Sequence, residues 1–254
     1  MGERLAEAGV NFVDRVGNIH LKLGDECEIF LLGRREAAVA VGRRRPGSGL
    51  IQLLFALLAE PRSVGWPIRK LAEAAGIGKT MAAIGRQYLA QRGVIRLASD
   101  GGHQVIDHKK LRDDFLVGYQ QVLRPRLLLG SFRPPERDTD LVLQKIAATA
   151  NRNRLPWAVT GGPAAYVLEK FYRGDELPLL IARITPEVRR ELRLVPDASG
   201  PVVFLRAFSR FCAWRTVGGL VVAHPWLIYA ELLHKSEPRA IEAAEQISEK
   251  YLSE

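Results

Sequence analysis

The chain is poor in the residues that build stapled or metal-bound scaffolds. Only Cys27 and Cys212 are present, far apart in 254 residues. Two thiols cannot form a disulfide framework, and no C-x-x-C pair offers metal-ligand spacing. A reducing, cytoplasmic setting is the expectation. Histidine is also scarce. None of His20, His103, His108, His224 and His234 is spaced with another ligand for a metal site. His224 precedes Pro225 at a strand end and reads as structural. Apolar runs are short. The longest, such as LIQLLFALLA from Leu50, fall well below the ~18 residues of a membrane span. The opening MGERLAEAGVNF lacks the basic-then-apolar pattern of a signal peptide. There is no G-x-S-x-G and no P-loop. These absences exclude a stapled secreted scaffold, a membrane span and several hydrolase and NTPase classes. They imply no cofactor and no catalytic or metal-binding set.

Acidic charge is the other shortage. Twenty-eight carboxylates face 37 lysines and arginines, for a net charge of +9 and a pI near 9.8. A basic excess favours acidic partners, nucleic acid first. The excess is also localised. Residues 43–133 hold sixteen cations against six acids, an excess of ten, so the rest of the chain is close to neutral.

That same segment has a recognisable order. GRRRPGSG (Gly42–Gly49) has the composition of a linker. Ser48 is placed to cap a helix over Leu50–Glu60, which Pro61 stops. Pro67 sits one residue inside the next helix, Ile68–Ala75. Gly76 ends that helix, and another runs over Thr80–Gln91 to Gly93. Two strands, Val94–Ala98 and His103–Ile106, flank the turn Ser99-Asp100-Gly101-Gly102, a strong hairpin signal. Helix, helix, turn, helix, hairpin is the order of a winged helix-turn-helix. The N-terminal residues of its second helix would reach base edges. Lys79 and Thr80 stand there, with Arg86 and Gln87 further along. Lys79 could donate to guanine or to phosphate, and Gln87 could pair with adenine. Arg43, Arg44, Arg45, Arg69, Lys70 and Arg96 supply phosphate-neutralising charge, and His103 and Gln104 stand on the wing. The bland alternative is a winged helix used for protein contacts. Ala82, Ala83 and Gly85 make the helix poor in base-reading side chains.

The remainder divides as follows. Residues 1–45 form a short β segment, with strands at Phe12-Val13, Ile19–Leu23 and Cys27–Leu32 and a turn at Gly17-Asn18. Residues 46–107 are the winged helix. Residues 108–136 comprise a helix over His108–Leu123 and an irregular connector, LRPRLLLGSFRPPERD. Residues 137–254 alternate helix and strand in an α/β pattern, so the fold class is α+β. There, Trp157–Gly161 reads as a strand, Gly161-Gly162 as a turn and the next segment as a helix, in the way nucleotidyltransferase folds open. The glycines would let backbone approach a triphosphate at a helix N-terminus. The two-metal chemistry needs carboxylates on the following strand, and LPLLIARI (Leu177–Ile184) has none. A tight strand–helix turn is the simpler reading of Gly161 and Gly162. A non-enzyme is expected. An active nucleotidyltransferase and a protein-binding adaptor are the alternatives.

The ordered features together resemble the AbiEi-type antitoxins of type IV toxin–antitoxin systems, in a branch described as transcriptional regulators. The resemblance rests on four stretches. They are LLFALLAEPRSVGWPIRKLAEAAGIGKTMAAIGRQYLAQRGVI, YQQVLRPRLLLGSFR (Tyr119–Arg133), VTGGPAAYVL (Val159–Leu168) and HPWLIYAELLHKSEPRAIEAAEQI, the last with Tyr229, Leu232 and Glu242-Ala243-Ala244-Glu245. They span about residues 50–250. The resemblance implies an N-terminal winged helix on operator DNA and a nucleotidyltransferase-like antitoxin domain. It also implies repression of the chain's own operon, and a separate nucleotidyltransferase toxin countered without a stable complex. Residues 1–45 depart from the simplest family plan and resemble the tail of an additional N-terminal domain. A homodimer on a two-fold site is compatible with this reading, although no self-pairing face is legible.

Overall fold

A computed structural model describes residues 8–13, 19–23, 27–31, 47–98 and 102–252. Two compact units divide the chain at Arg45. The first contains an antiparallel sheet of β1 (Phe12–Val13), β2 (Ile19–Leu23) and β3 (Cys27–Leu31), with Phe12 opposite His20 and Ile19 opposite Leu31. Asn11 closes it by exchanging two hydrogen bonds with the Lys22 backbone, at 2.7 and 3.0 Å. The expected turn at Gly17-Asn18 lies outside the described residues.

The second unit begins with α1 (Ser48–Ala59). From Leu50 to Leu57 only Gln52 escapes full burial. A helix apolar all round must be covered all round. α1 accordingly lies between the helical part and the sheet part of the unit. Its Phe55 ring meets Phe115 at 5.9 Å and Phe208 at 5.2 Å. Ser48 is not the cap. The helix starts two residues earlier than expected, Gly47 occupies the N-cap, and Ser48 Oγ accepts from Arg126 Nη1. A 3₁₀ turn (Pro61–Gly65) leads to α2 (Ile68–Ala75). Pro67 is the N-cap of α2 rather than its first residue, with an extended ψ of 141°. α3 (Lys79–Gln91) and the antiparallel pair β4 (Ile95–Leu97) and β5 (His103–Val105) complete the helical part.

α4 (His108–Gly118) does not end at Leu123. It passes into a π turn over Tyr119–Leu123 and a last α turn, α5 (Arg124–Leu127). The wider turn aims Tyr119 and Arg124 at one carboxylate. Tyr119 Oη donates to Glu231 Oε1 at 2.7 Å, and Arg124 Nε to the same oxygen at 2.8 Å. Burial pushes the Tyr119 phenol well above its ordinary pKa. Burial alone would lower the Arg124 guanidinium, but Glu231 holds it above its usual value. The segment that reads as a connector then becomes β6 (Leu128–Arg133), an inner strand of the main sheet. Its proline and arginine punctuation hides a partner far along the chain: Phe132 pairs with Val202.

α6 (Thr139–Arg152), β7 (Trp157–Val159), α7 (Gly161–Glu169), β8 (Leu177–Ile181) and α8 (Pro186–Glu191) follow. Next come β9 (Val195–Pro196), β10 (Val202–Arg206), β11 (Ala213–Val217), β12 (Leu220–Ala223), α9 (Pro225–Lys235) and α10 (Pro238–Tyr251). The seven strands run in the order β11-β12-β7-β8-β10-β6-β9 and mix parallel and antiparallel pairs. Thr185 caps α8, its Oγ1 accepting from Val188 N at 3.3 Å. β9 and β11 carry no such sequence signal. Most of their residues are exposed at the sheet's two margins, so no apolar alternation marks them.

The helical part is fastened to the sheet at two points. At the first, Ser209 Oγ donates to the Ala74 carbonyl at 2.7 Å and Arg210 N to the same oxygen at 3.2 Å. Gly76, at φ 69°, lies so close that a Cβ there would sit 1.7 Å from the Phe208 carbonyl oxygen. At the second, the His224 ring packs edge-on to Phe55 at 5.8 Å and its Nδ1 accepts from Trp226 N. Burial lowers the His224 pKa to about 4, and a hydrogen bond to the Ala59 backbone only partly offsets this.

Gly76→Ala is therefore expected to cost more than ~2 kcal/mol in urea unfolding, because it adds left-handed strain and a backbone collision. Gly78→Ala, with open space at its Cβ, is expected to cost less than ~1 kcal/mol. His224 gives the fold an acid-sensitive step. Unfolding restores its ordinary pKa near 6.5, so the unfolded chain takes up the proton first. Its stabilising contribution is whole above about pH 6.5 and falls away as pH drops toward 4, by roughly 3 kcal/mol. Urea midpoints at pH 7 and 4.5 should show this loss in the wild type and a smaller one in His224→Asn.

Candidate nucleic-acid interface

α3 presents one face outward. Thr80, Ala83, Ile84 and Gln87 are exposed at helical spacing, while Ala82, Gly85 and Leu89 are buried on the opposite side. Gly85 explains part of the helix's plain composition. A Cβ there would come within 2.6 Å of Leu53, so this glycine lets α3 seat closely on α1. Gly78 caps α3 without a side-chain hydrogen bond. The first-turn N–H groups are therefore open to an outside acceptor.

The predicted residues divide by environment. Lys79, Thr80 and Gln87 are exposed on α3, and Arg69 is exposed at the start of α2. Lys70 is exposed too, with its Nζ 3.9 Å from the Trp66 ring centroid. Arg96 is exposed on β4, directly across the hairpin from exposed Gln104. Among the described residues no carboxylate lies within 4 Å of Arg69, Lys70, Lys79 or Arg96. Arg86 differs. It is half-buried, donates through Nη1 to the Trp66 carbonyl at 3.0 Å, and has its pKa lowered by that burial. It ties α3 to the chain entering α2. His103 is half-buried beside it, and its pKa is lowered by burial and then by Arg86. Arg43, Arg44 and Arg45 lie outside the described residues, as does the hairpin tip at 99–101.

One surface residue was missed by the sequence reading. Ile84 is 54% exposed in the middle of the outward face of α3. Its signal was present: it stands four residues after Thr80 and three before Gln87. An exposed apolar side chain there is suited to a thymine methyl in the major groove.

The strand–glycine–helix feature is closed. Every residue from Thr160 to Ala165 is buried. A Cβ on Gly162 would lie 2.1 Å from the Arg173 carbonyl oxygen, and one on Gly161 would lie 2.8 Å from Pro178. Both glycines thus serve close contacts within the fold, a use that requires no nucleotide. All five residues of β8 are buried and none is acidic. Of the two acids before it, Glu176 pairs with Lys235 and Asp175 is exposed. Among the described residues no three potential ligands cluster to hold a metal, and no helix is long and apolar enough to cross a membrane.

Residues 104–253 match the family described as transcriptional regulator, AbiEi antitoxin, type IV TA system. The match covers the sheet and its flanking helices, and it begins inside the β4–β5 hairpin. No curated protein and no solved structure matches the chain.

Proposed function

The chain belongs to the AbiEi antitoxin family of transcriptional regulators, and on that premise we propose that residues 46–107 form a winged helix-turn-helix that binds operator DNA. The observation that carries this reading is the outward face of α3. It combines uncapped first-turn amides, Lys79, Thr80 and Gln87 with no acid paired to Lys79 among the described residues, and an exposed Ile84 at its centre. α3 enters the major groove, and Thr80, Ile84 and Gln87 meet base edges. Arg69, Lys70 and Arg96, with Arg43, Arg44 and Arg45, neutralise phosphates and set the register. Arg86 shapes the interface from behind. The β4–β5 hairpin is the wing, with Arg96 and Gln104 on one face and His103, its pKa lowered, beside Arg86.

In this account the chain represses its own operon from the cytoplasm and counters a nucleotidyltransferase toxin without a stable complex. Residues 137–254 are a nucleotidyltransferase-like core that does no catalysis. Support comes from the β7–Gly161-Gly162–α7 opening and from the apolar, acid-free β8. A homodimer on a two-fold operator is the assembly that a winged helix of this kind would use.

Binding to labelled DNA from upstream of the chain's own coding sequence, with scrambled duplex as competitor, tests the reading. The wild type should retain the operator against competitor at ~0.15 M salt. Gln87→Ala should lose about 1–3 kcal/mol of discrimination, and Lys79→Ala should weaken binding. Arg86→Ala should act mainly through lowered stability. Equal, weak binding to every duplex, abolished by modest salt, would sink the reading.

A further inference from the structure

A cation from the far half of the chain stands beside the helix-turn-helix, at Trp66. The Trp66 and Phe211 rings pack with their centroids 6.4 Å apart. Lys70 Nζ lies 3.9 Å from the centre of the first ring, and Arg210 Cζ lies 5.5 Å from the centre of the second. Both cations are exposed. Neither has a carboxylate within 4 Å among the described residues. An aromatic face attracts a cation by about 0.5–1 kcal/mol at an exposed site and leaves its charge intact. The ring pair therefore steadies two positive groups without neutralising either.

The main chain fixes the arrangement. Arg210 N donates to Ala74 O, the carbonyl that Ser209 Oγ also holds. Arg210 is thus bonded to the last turn of α2, directly before the turn that leads into α3. The Trp66 carbonyl in turn accepts from Arg86 of α3. The aromatic pair thus seats one cation from α2 and one from the loop after β10, and the Trp66 main chain ties α3 to the same place. An ordinary solvated cation would have no such seat. Two cations seated on adjoining rings, with no carboxylate against either among the described residues, match a partner whose negative charges are regularly spaced.

We propose that Arg210 contacts a phosphate of the DNA backbone, so that the interface crosses from the helix-turn-helix onto the loop that follows β10. The proposal rests on the DNA-binding reading given above. Lys70 and Arg210 take neighbouring phosphates, and the Trp66–Phe211 pair sets their separation. The β10–β11 loop then has two tasks: it clamps α2, and it supplies a charge to the ligand that α3 reads.

The test is operator affinity of the full chain measured from ~50 to ~200 mM salt. Each phosphate contact contributes about 0.9 to the slope of log affinity against log salt. Arg210→Gln should lower the slope by about 0.9, so its affinity deficit shrinks roughly threefold over that range. Arg210→Lys should restore most of the slope. Arg189→Gln, which removes an exposed charge from α8, should leave it unchanged. The Arg210 side chain is exposed and only its main chain bonds Ala74, so the glutamine variant keeps the fold, which an unfolding midpoint verifies. Specific wild-type binding with equal slopes for wild type and Arg210→Gln would overturn the proposal and leave the regulator reading standing. A wild type that does not prefer the operator to scrambled duplex would overturn both.

Discussion

The structure depends on one carbonyl group. Ala74 O, at the end of α2, would ordinarily be turned to water. Here it accepts two hydrogen bonds from Ser209 and Arg210, 135 residues further along for the serine. Gly76 keeps the approach open, because any side chain there would meet the Phe208 carbonyl. The turn between α2 and α3 is thereby fastened to the loop after β10. Residues from Pro46 onward accordingly pack as one compact unit. The apolar spine of α1 fills the space behind that contact, and His224 closes its far end.

A reading helix is useful only if its orientation is fixed, since base contacts are lost over an ångström or so of misplacement. In this chain the orientation of α3 is set from three sides. Gly85 seats it on α1, Arg86 holds it to Trp66, and the glycine turn holds it to the sheet. On the surface that remains, Arg69, Lys70, Lys79 and Arg96 have no carboxylate within 4 Å among the described residues. The two glycines that open α7, Gly161 and Gly162, likewise serve close packing. Each admits a neighbouring piece of the fold, Pro178 in one case and the Arg173 backbone in the other.

Local signals were legible in the sequence and long-range ones were not. The bounds of α2 and its glycine stop could be read because a left-handed C-cap is a local requirement. β6 was illegible because Pro125 and Pro134 flank it, Gly130 and its mostly unburied residues leave no apolar alternation, and its register is set by β10 some seventy residues away. Gly76 illustrates the difference. Its helix-ending role was visible, whereas its contact with Phe208 was not. The candidate site divides in the same way. Spacing placed Lys79, Thr80 and Gln87 together. It could not show that Arg86 turns inward to Trp66, that His103 is half-buried, or that Ile84 stands outward.

The central claim is that α3 lies in a DNA groove while clamped to the sheet. Site-directed cleavage addresses it most directly. Cys212 is buried, and burial pushes its thiol up to about 11, so it resists labelling. In a Cys27→Ser background, Gln87→Cys would carry an iron chelate that cuts DNA close to its point of attachment. The account predicts cuts confined to a few nucleotides of the operator and aligned across one major groove. Scattered or absent cutting, under conditions where the labelled protein still binds the operator, would contradict it.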